Sequence, residues 1–161
     1  GGTETGRVLG AKAGAAGIAW DILRVVAAIA LASLISPDVS IWTGLAAAIG
    51  HCYPIFAGFK GGKAVATMFG FLLATSIFTF QNAWYLIIPL AAFLLLLVLF
   101  KMVSLASMAA ALCSSIFISV MQMDQPQIMI ASWLMTILVI YRHRSNIVKI
   151  KNGQENKVSW L

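Results

Sequence analysis

A chain of 161 residues that is 61% hydrophobic and only 10% charged, with a mean hydropathy of +0.94, has too little polar surface for a soluble globular domain, where about a quarter of residues are charged. Its net charge of +6 calls for no nucleic acid, because a basic surface facing anionic lipid accounts for it. The two cysteines, Cys52 and Cys113, lie in or beside apolar stretches without metal-ligand spacing and read as packing residues.

Six apolar stretches follow one another along the chain, at roughly 13–35, 40–58, 64–80, 83–100, 102–121 and 126–141. About 20 apolar residues cross roughly 30 Å of hydrocarbon, and backbone polar groups in lipid must be satisfied within the segment, so each stretch is expected to be helical. Short polar marks separate them: Pro37-Asp38, Lys60-Gly61-Gly62-Lys63, Gln81-Asn82, Lys101 and Asp124-Gln125-Pro126-Gln127. The expected fold is all-α, a polytopic integral membrane helix bundle of about six spans. It forms a single transmembrane domain over residues 1–161, with 149–161 as a cytoplasmic polar tail. No cleavable signal, internal repeat or dividing linker is visible, and the start at Gly1 without methionine leaves open residues upstream.

Assigning the breaks alternately to the two membrane sides puts Arg7, Lys12, Lys60, Lys63, Lys101, Arg142, Arg144, Lys149, Lys151 and Lys157 on one side. The other side receives Asp38 and Asp124 and no Lys or Arg. This asymmetry predicts that the basic side, with both ends of the chain, is cytoplasmic.

The segment from Gly50 to Thr67 ends one helix, turns through Gly61-Gly62 and opens the next helix near Lys63. Glycine permits positive φ and close backbone approach, the first N–H groups of a helix attract anions, and Lys63 adds a mobile positive charge. Together they describe a phosphate cradle at the membrane surface; the alternative is a plain turn with Lys60 and Lys63 as interfacial anchors. A nucleotide-binding P-loop is excluded by spacing.

A second cluster follows the last span, where His143 and Asn146 share a face if the helix continues, able to hydrogen-bond a polar substrate. The bland alternative leaves His143 in the headgroup layer among anchoring arginines. A third lies at the glycine-rich start, where Arg7 offers a bidentate fork for phosphate. Asp21 and Arg24, three apart in the first span, read as a neutralising pair near the interface, with support of the site as the alternative. His51 and Pro54 read as packing and a helix end, with a proton relay through His51 as the alternative.

At these clusters the chain resembles the bacterial acyl-phosphate:glycerol-3-phosphate acyltransferases, the PlsY family. Gly50-His51, Pro54, Phe56, Phe59-Lys60-Gly61-Gly62-Lys63 and Val65-Ala66-Thr67 match that family's second motif, G-H-x-x-P-x-F-x-x-F-K-G-G-K-G-V-A-T. His143, Asn146 and Ile147 match its third motif, H-x-x-N-I, and are followed by Gly153 and Glu155. The resemblance runs from Gly1 to about Glu155 and departs at Glu4, where the family has asparagine, at Ala64, where it has a third glycine, and at Arg24-Val25, where it has K-G. The family also has a further N-terminal helix.

The resemblance implies transfer of a fatty acyl group from acyl phosphate to the 1-hydroxyl of glycerol 3-phosphate, the first acylation of phospholipid synthesis, on the cytoplasmic face of the bacterial inner membrane. It implies catalytic roles for Lys63, His143 and Asn146, and substrate binding by Arg7, Gly61, Gly62, Ala64, Val65, Ala66 and Thr67. The implied partners are acyl phosphate, glycerol 3-phosphate and membrane lipids, with no metal, cofactor, nucleic acid or obligatory protein partner. The competing expectation is a catalytically impaired relative that binds phosphorylated lipid or glycerol phosphate without turnover. A small transporter is disfavoured because no row of ionisable residues crosses the spans.

The charge asymmetry carries its own test. In a background lacking Cys52 and Cys113, a single cysteine at Asp38 or Asp124 should react with an impermeant thiol reagent from outside the cell, and one at Lys60 or Lys101 should not. The reverse pattern would overturn the orientation.

Overall fold

Proline marks where two of the apolar stretches become helix, and at one of them a hydroxyl caps the start. The computed structural model describes residues 10–159, and among these it has seven α-helices: α1 (Ala11–Ser33), α2 (Pro37–Cys52), α3 (Val65–Phe78), α4 (Trp84–Phe100), α5 (Val103–Met121), α6 (Pro126–Arg142) and α7 (Arg144–Lys151), with a 3-10 turn at Ile55–Ala57. α2 opens with Ser36 Oγ accepting from the Val39 N–H at 3.2 Å, Pro37 at its first position and Asp38 in its first turn. Each choice suits a helix start: the hydroxyl satisfies an orphan donor, proline has no N–H to waste, and the carboxylate faces the positive dipole end.

Among the described residues three helical runs, Ala11–Ser33, Pro37–Ala57 and Val103–Met121, are long and apolar enough to cross a membrane, and α3, α4 and α6 are shorter apolar helices. The six expected stretches therefore correspond to α1 to α6, with shifted ends. The apolar stretch at 40–58 stops being α-helical at Cys52, since Pro54 disfavours helical geometry at Tyr53, which adopts φ −131° and ψ 59°. α3 has 14 residues, about 21 Å at 1.5 Å per residue.

The helices form two compact units, one holding α1 to α3 and the other α4 to α7. In the first, α1 packs on both α2 and α3. Its buried apolar residues include Val25 and Ile29 of α1, Ile41, Leu45 and Ala48 of α2, and Met68, Phe71 and Leu72 of α3. In the second, α5 packs on α4 and α6 and buries small residues at Ser104, Ala106, Ser107, Ala110, Ala111, Ser114 and Ser115. Lipid gives helices little hydrophobic reason to associate, and small residues allow the close backbone approach that replaces it. α4 exposes Leu90, Leu94, Leu95, Val98 and Leu99, a face suited to hydrocarbon.

Residues 149–159, expected as a polar tail, are folded back. Lys149–Lys151 complete α7, Glu155 bonds Ser104 and Asn146, and the Val158 N–H donates to the Lys101 carbonyl at 2.8 Å.

α5 and α6 are further joined by buried hydroxyls. Thr136 Oγ1 donates to the Ala111 carbonyl at 2.8 Å, and Ser115 Oγ lies 2.7 Å from Thr136 Oγ1 and 2.8 Å from the Ser132 carbonyl. Interhelical hydrogen bonds of this kind average about 0.6 kcal/mol and reach about 1.7. Ser115→Ala and Thr136→Val should each lower unfolding stability in micelles within that range, and a double-mutant cycle should show them coupled. Strict additivity would show that the two hydroxyls do not act together.

Candidate active site

The path from α2 to α3 is governed by the glycine pair. After the 3-10 turn the chain passes through left-handed Gly58 and Phe59, with φ 57° and 60°. It then returns to α2, where the Gly61 N–H donates to the Cys52 carbonyl at 3.2 Å and the Gly62 N–H to the His51 carbonyl at 3.1 Å. A Cβ at position 61 would meet the His51 carbonyl oxygen and Pro54 Cδ, and one at 62 would meet the His51 ring at Nε2. The glycines are thus required for close approach. Neither takes the positive φ that the sequence suggested, and both N–H groups are engaged with α2.

Left-handed geometry falls instead on Ala64, fully buried at the N-cap of α3 with φ 62° and ψ 8°. An L-residue there bears roughly 1–2 kcal/mol of strain, so the backbone itself explains why the resembled pattern has glycine at this place. Helical bonding begins with the Met68 N–H donating to the Ala64 carbonyl at 2.8 Å. That leaves the N–H groups of Val65, Ala66 and Thr67 outside the helical ladder at the positive end of α3. The Thr67 hydroxyl is buried and donates to the Ala64 carbonyl at 3.0 Å. Lys63, half-buried, immediately precedes this start.

Beneath the turn, Arg24 Nη2 lies 2.7 Å from Asp21 Oδ1 and also donates to His51 Nδ1, which is 3.4 Å from Asp21 Oδ1. The pair expected from the i, i+3 spacing is present, and it reaches across to α2.

In the second unit His143 sits at the junction of α6 and α7 and is only 3% exposed. Its Nδ1 is 2.8 Å from the Val139 carbonyl. A carbonyl only accepts, so Nδ1 carries the proton and Nε2 is the basic nitrogen of the neutral ring. Asn146, in the first turn of α7, donates from Nδ2 to Glu155 Oε1 at 2.8 Å, and Ser104 Oγ donates to the same oxygen at 2.7 Å. Asn146 Oδ1 and Glu155 Oε2 are buried with no hydrogen-bond partner among the described residues. Arg144 stacks over the Tyr141 ring at 4.6 Å, as an interfacial anchor would.

Arg7 and Glu4 lie outside the described residues. Sequence reasoning missed Ser104 and the contact role of Glu155; the available signal was an acidic residue standing alone among Arg142, Arg144, Lys149, Lys151 and Lys157.

Gly50 provides a control for the fold-back, since nothing lies within 4 Å of a Cβ built there. Gly50→Ala should leave thermal stability in detergent unchanged or raise it by up to about 1 kcal/mol. Gly61→Ala and Gly62→Ala should each lower it by about 1–3 kcal/mol. Equal tolerance at all three positions would contradict the fold-back.

Known proteins resemble this chain over almost its whole length. The family model for glycerol-3-phosphate acyltransferase matches residues 1–153. A glycerol-3-phosphate acyltransferase of Geobacillus kaustophilus is 42% identical over 161 residues, covering 99% of this chain and 78% of that protein. One from Bacillus subtilis is 43% identical over 162 residues, covering 100% and 80%. The crystal structure of PlsY, an integral membrane glycerol 3-phosphate acyltransferase, in its glycerol 3-phosphate form superposes with a TM-score of 0.87 at 34% identity, covering 99% of this chain and 78% of that one. Its lysophosphatidic acid form gives 0.86 at 34% identity. The chain belongs to the glycerol-3-phosphate acyltransferase family, the integral membrane acyltransferases of phospholipid synthesis.

Proposed function

We propose that this enzyme takes its acyl group from acyl phosphate and places it on the 1-hydroxyl of glycerol 3-phosphate, giving lysophosphatidic acid and inorganic phosphate, at the cytoplasmic face of a bacterial inner membrane. The observation that carries the reading is the opening of α3, where Lys63 precedes three N–H groups outside the helical ladder in a turn fastened to α2. Such an arrangement attracts a phosphate. The glycerol 3-phosphate and lysophosphatidic acid forms of the solved relative support the acceptor and the product. The bacterial relatives support the membrane, and the charge asymmetry supports the side.

In this reaction the glycerol hydroxyl oxygen attacks the acyl carbonyl carbon, the carbon–oxygen bond to phosphate breaks, and the hydroxyl proton leaves with the phosphate. Transfer is direct, with the phosphate as its own proton acceptor. Negative charge grows on the leaving phosphate, where Lys63 offsets it. Gly61, Gly62 and Ala64 shape the seat, and the N–H groups of Val65, Ala66 and Thr67 line it. Arg7 binds the phosphate of the acceptor as a bidentate fork. His143 and Asn146 orient its hydroxyl, Asn146 through the Oδ1 that has no other partner among the described residues. The acyl tail stays among membrane lipids.

Purified protein given acyl phosphate and glycerol 3-phosphate should release phosphate and form lysophosphatidic acid in equal amounts. Lys63→Met should lower turnover by about 100-fold or more while the protein stays folded in detergent; near-normal turnover would remove Lys63 from the mechanism. His143→Ala and Asn146→Ala should act chiefly on the KM for glycerol 3-phosphate. Unchanged kinetics in both would reduce that cluster to an anchor.

A further inference from the structure

The chain has two histidines, and their partners assign them opposite tautomers. His143 faces a carbonyl with Nδ1, so its proton is there. His51 faces the Arg24 guanidinium with Nδ1, and a guanidinium has only donors. Nδ1 of His51 is therefore the acceptor, and the neutral ring carries its proton on Nε2. A doubly protonated ring would set N–H against N–H. Asp21 keeps Arg24 in place at 2.7 Å, nearer than its own 3.4 Å approach to the imidazole, so the order of contacts is carboxylate, guanidinium, ring.

The far edge of the same ring is the surface on which the glycine turn is built. Position 62 has no room for a Cβ because Nε2 of His51 occupies that space, and the Gly62 N–H bonds the carbonyl of the same residue. A rotated or shifted imidazole therefore displaces Gly62, and Lys63 is the next residue. We propose that Asp21, Arg24 and His51 form a positioning relay, in which Arg24 holds His51 as its neutral Nε2–H tautomer and the ring in turn fixes the Gly61-Gly62-Lys63 turn for the phosphate of the acyl donor. This rests on reading that turn as the phosphate seat. An ion pair that served only to neutralise charge within α1 would need no contact with His51; this one reaches from the first helix to the end of the second.

Two histidines make the test direct. In protein labelled with 15N at histidine alone, the ring-nitrogen spectrum at neutral pH should contain one Nε2–H and one Nδ1–H pattern. His143→Ala should remove the second and leave the first. Arg24→Met should release the His51 tautomer and raise the KM for acyl phosphate about tenfold, the worth of one charge-assisted hydrogen bond, with a smaller fall in kcat where Lys63 shifts with the turn. Arg24→Lys, which keeps a cationic donor, should restore the spectrum and most of the KM. A wild-type His51 that is Nδ1–H or doubly protonated would overturn the relay, and that spectrum depends on no destabilised variant. A tautomer that changes in Arg24→Met with no change in KM would overturn the positioning role, as would failure of Arg24→Lys to restore either readout. If Lys63→Met keeps its turnover, the phosphate seat itself fails, and the tautomer assignment is still decided by the spectrum.

Discussion

Two backbone hydrogen bonds, from the N–H groups of Gly61 and Gly62 to the carbonyls of Cys52 and His51, determine much of the first unit. The last carbonyls of a helix have no partner within it, and an unsatisfied carbonyl near hydrocarbon is costly. Returning the chain to those carbonyls solves that problem, and it imposes three others. No side chain fits at 61 or 62. The next residues must reverse direction to begin α3, which places Ala64 in left-handed geometry. Lys63 is held between the two constraints, with little freedom in where its backbone goes. A satisfied helix end, a strained N-cap and a positioned lysine are thus one feature of the chain.

How much of this was legible in the sequence depended on whether a property was local. Six apolar stretches gave six helices because hydropathy and the need to satisfy backbone groups act over one segment at a time. The end of α2 was displaced because Pro54 acts on the residue before it, a stronger effect than the apolarity of Ile55 and Phe56. Gly61 and Gly62 stood out for positive φ and for close backbone approach, and only the second is realised: composition shows that a position lacks a side chain, while the choice between the two needs the neighbour, here His51. The Asp21 and Arg24 pair was visible from spacing, but its reach to His51 joins residues on different helices. Glu155 was hidden by its basic surroundings, in a C-terminal segment that read simply as a polar tail.

The second unit solves a related problem with side chains. An amide has a donor end and an acceptor end that differ little in shape, and what distinguishes them is the partner. Glu155 accepts only, so it takes the Nδ2 end of Asn146 and leaves Oδ1 as the available acceptor. Ser104 donates to the same carboxylate oxygen, which ties the start of α5 to the first turn of α7 through one acid. The return of residues 152–158 to the α4–α5 turn, closed by the Val158 N–H on the Lys101 carbonyl, brings Glu155 there.

With the opening of α3 proposed as a phosphate seat, the acidic residues need an explanation, because like charges oppose such a substrate and cost more where water is scarce. Asp38 and Asp124 avoid the difficulty by position. Asp38 lies at the start of α2, the opposite end from His51, and Asp124 lies between α5 and α6, the opposite end of α6 from His143. Within their own units Asp21 and Glu155 are each met by donors, Asp21 by Arg24 and Glu155 by Asn146 and Ser104. Hydrogen bonds to a carboxylate draw its charge onto the donors, so these acids act on the groups they orient more than on an incoming anion. Each also orients a group whose direction matters: Arg24, whose donors set the His51 tautomer, and Asn146, whose amide presents an acceptor. A neutral residue in either place would remove the repulsion and also the directional hold, and this accounts for a carboxylate at each of the two positions.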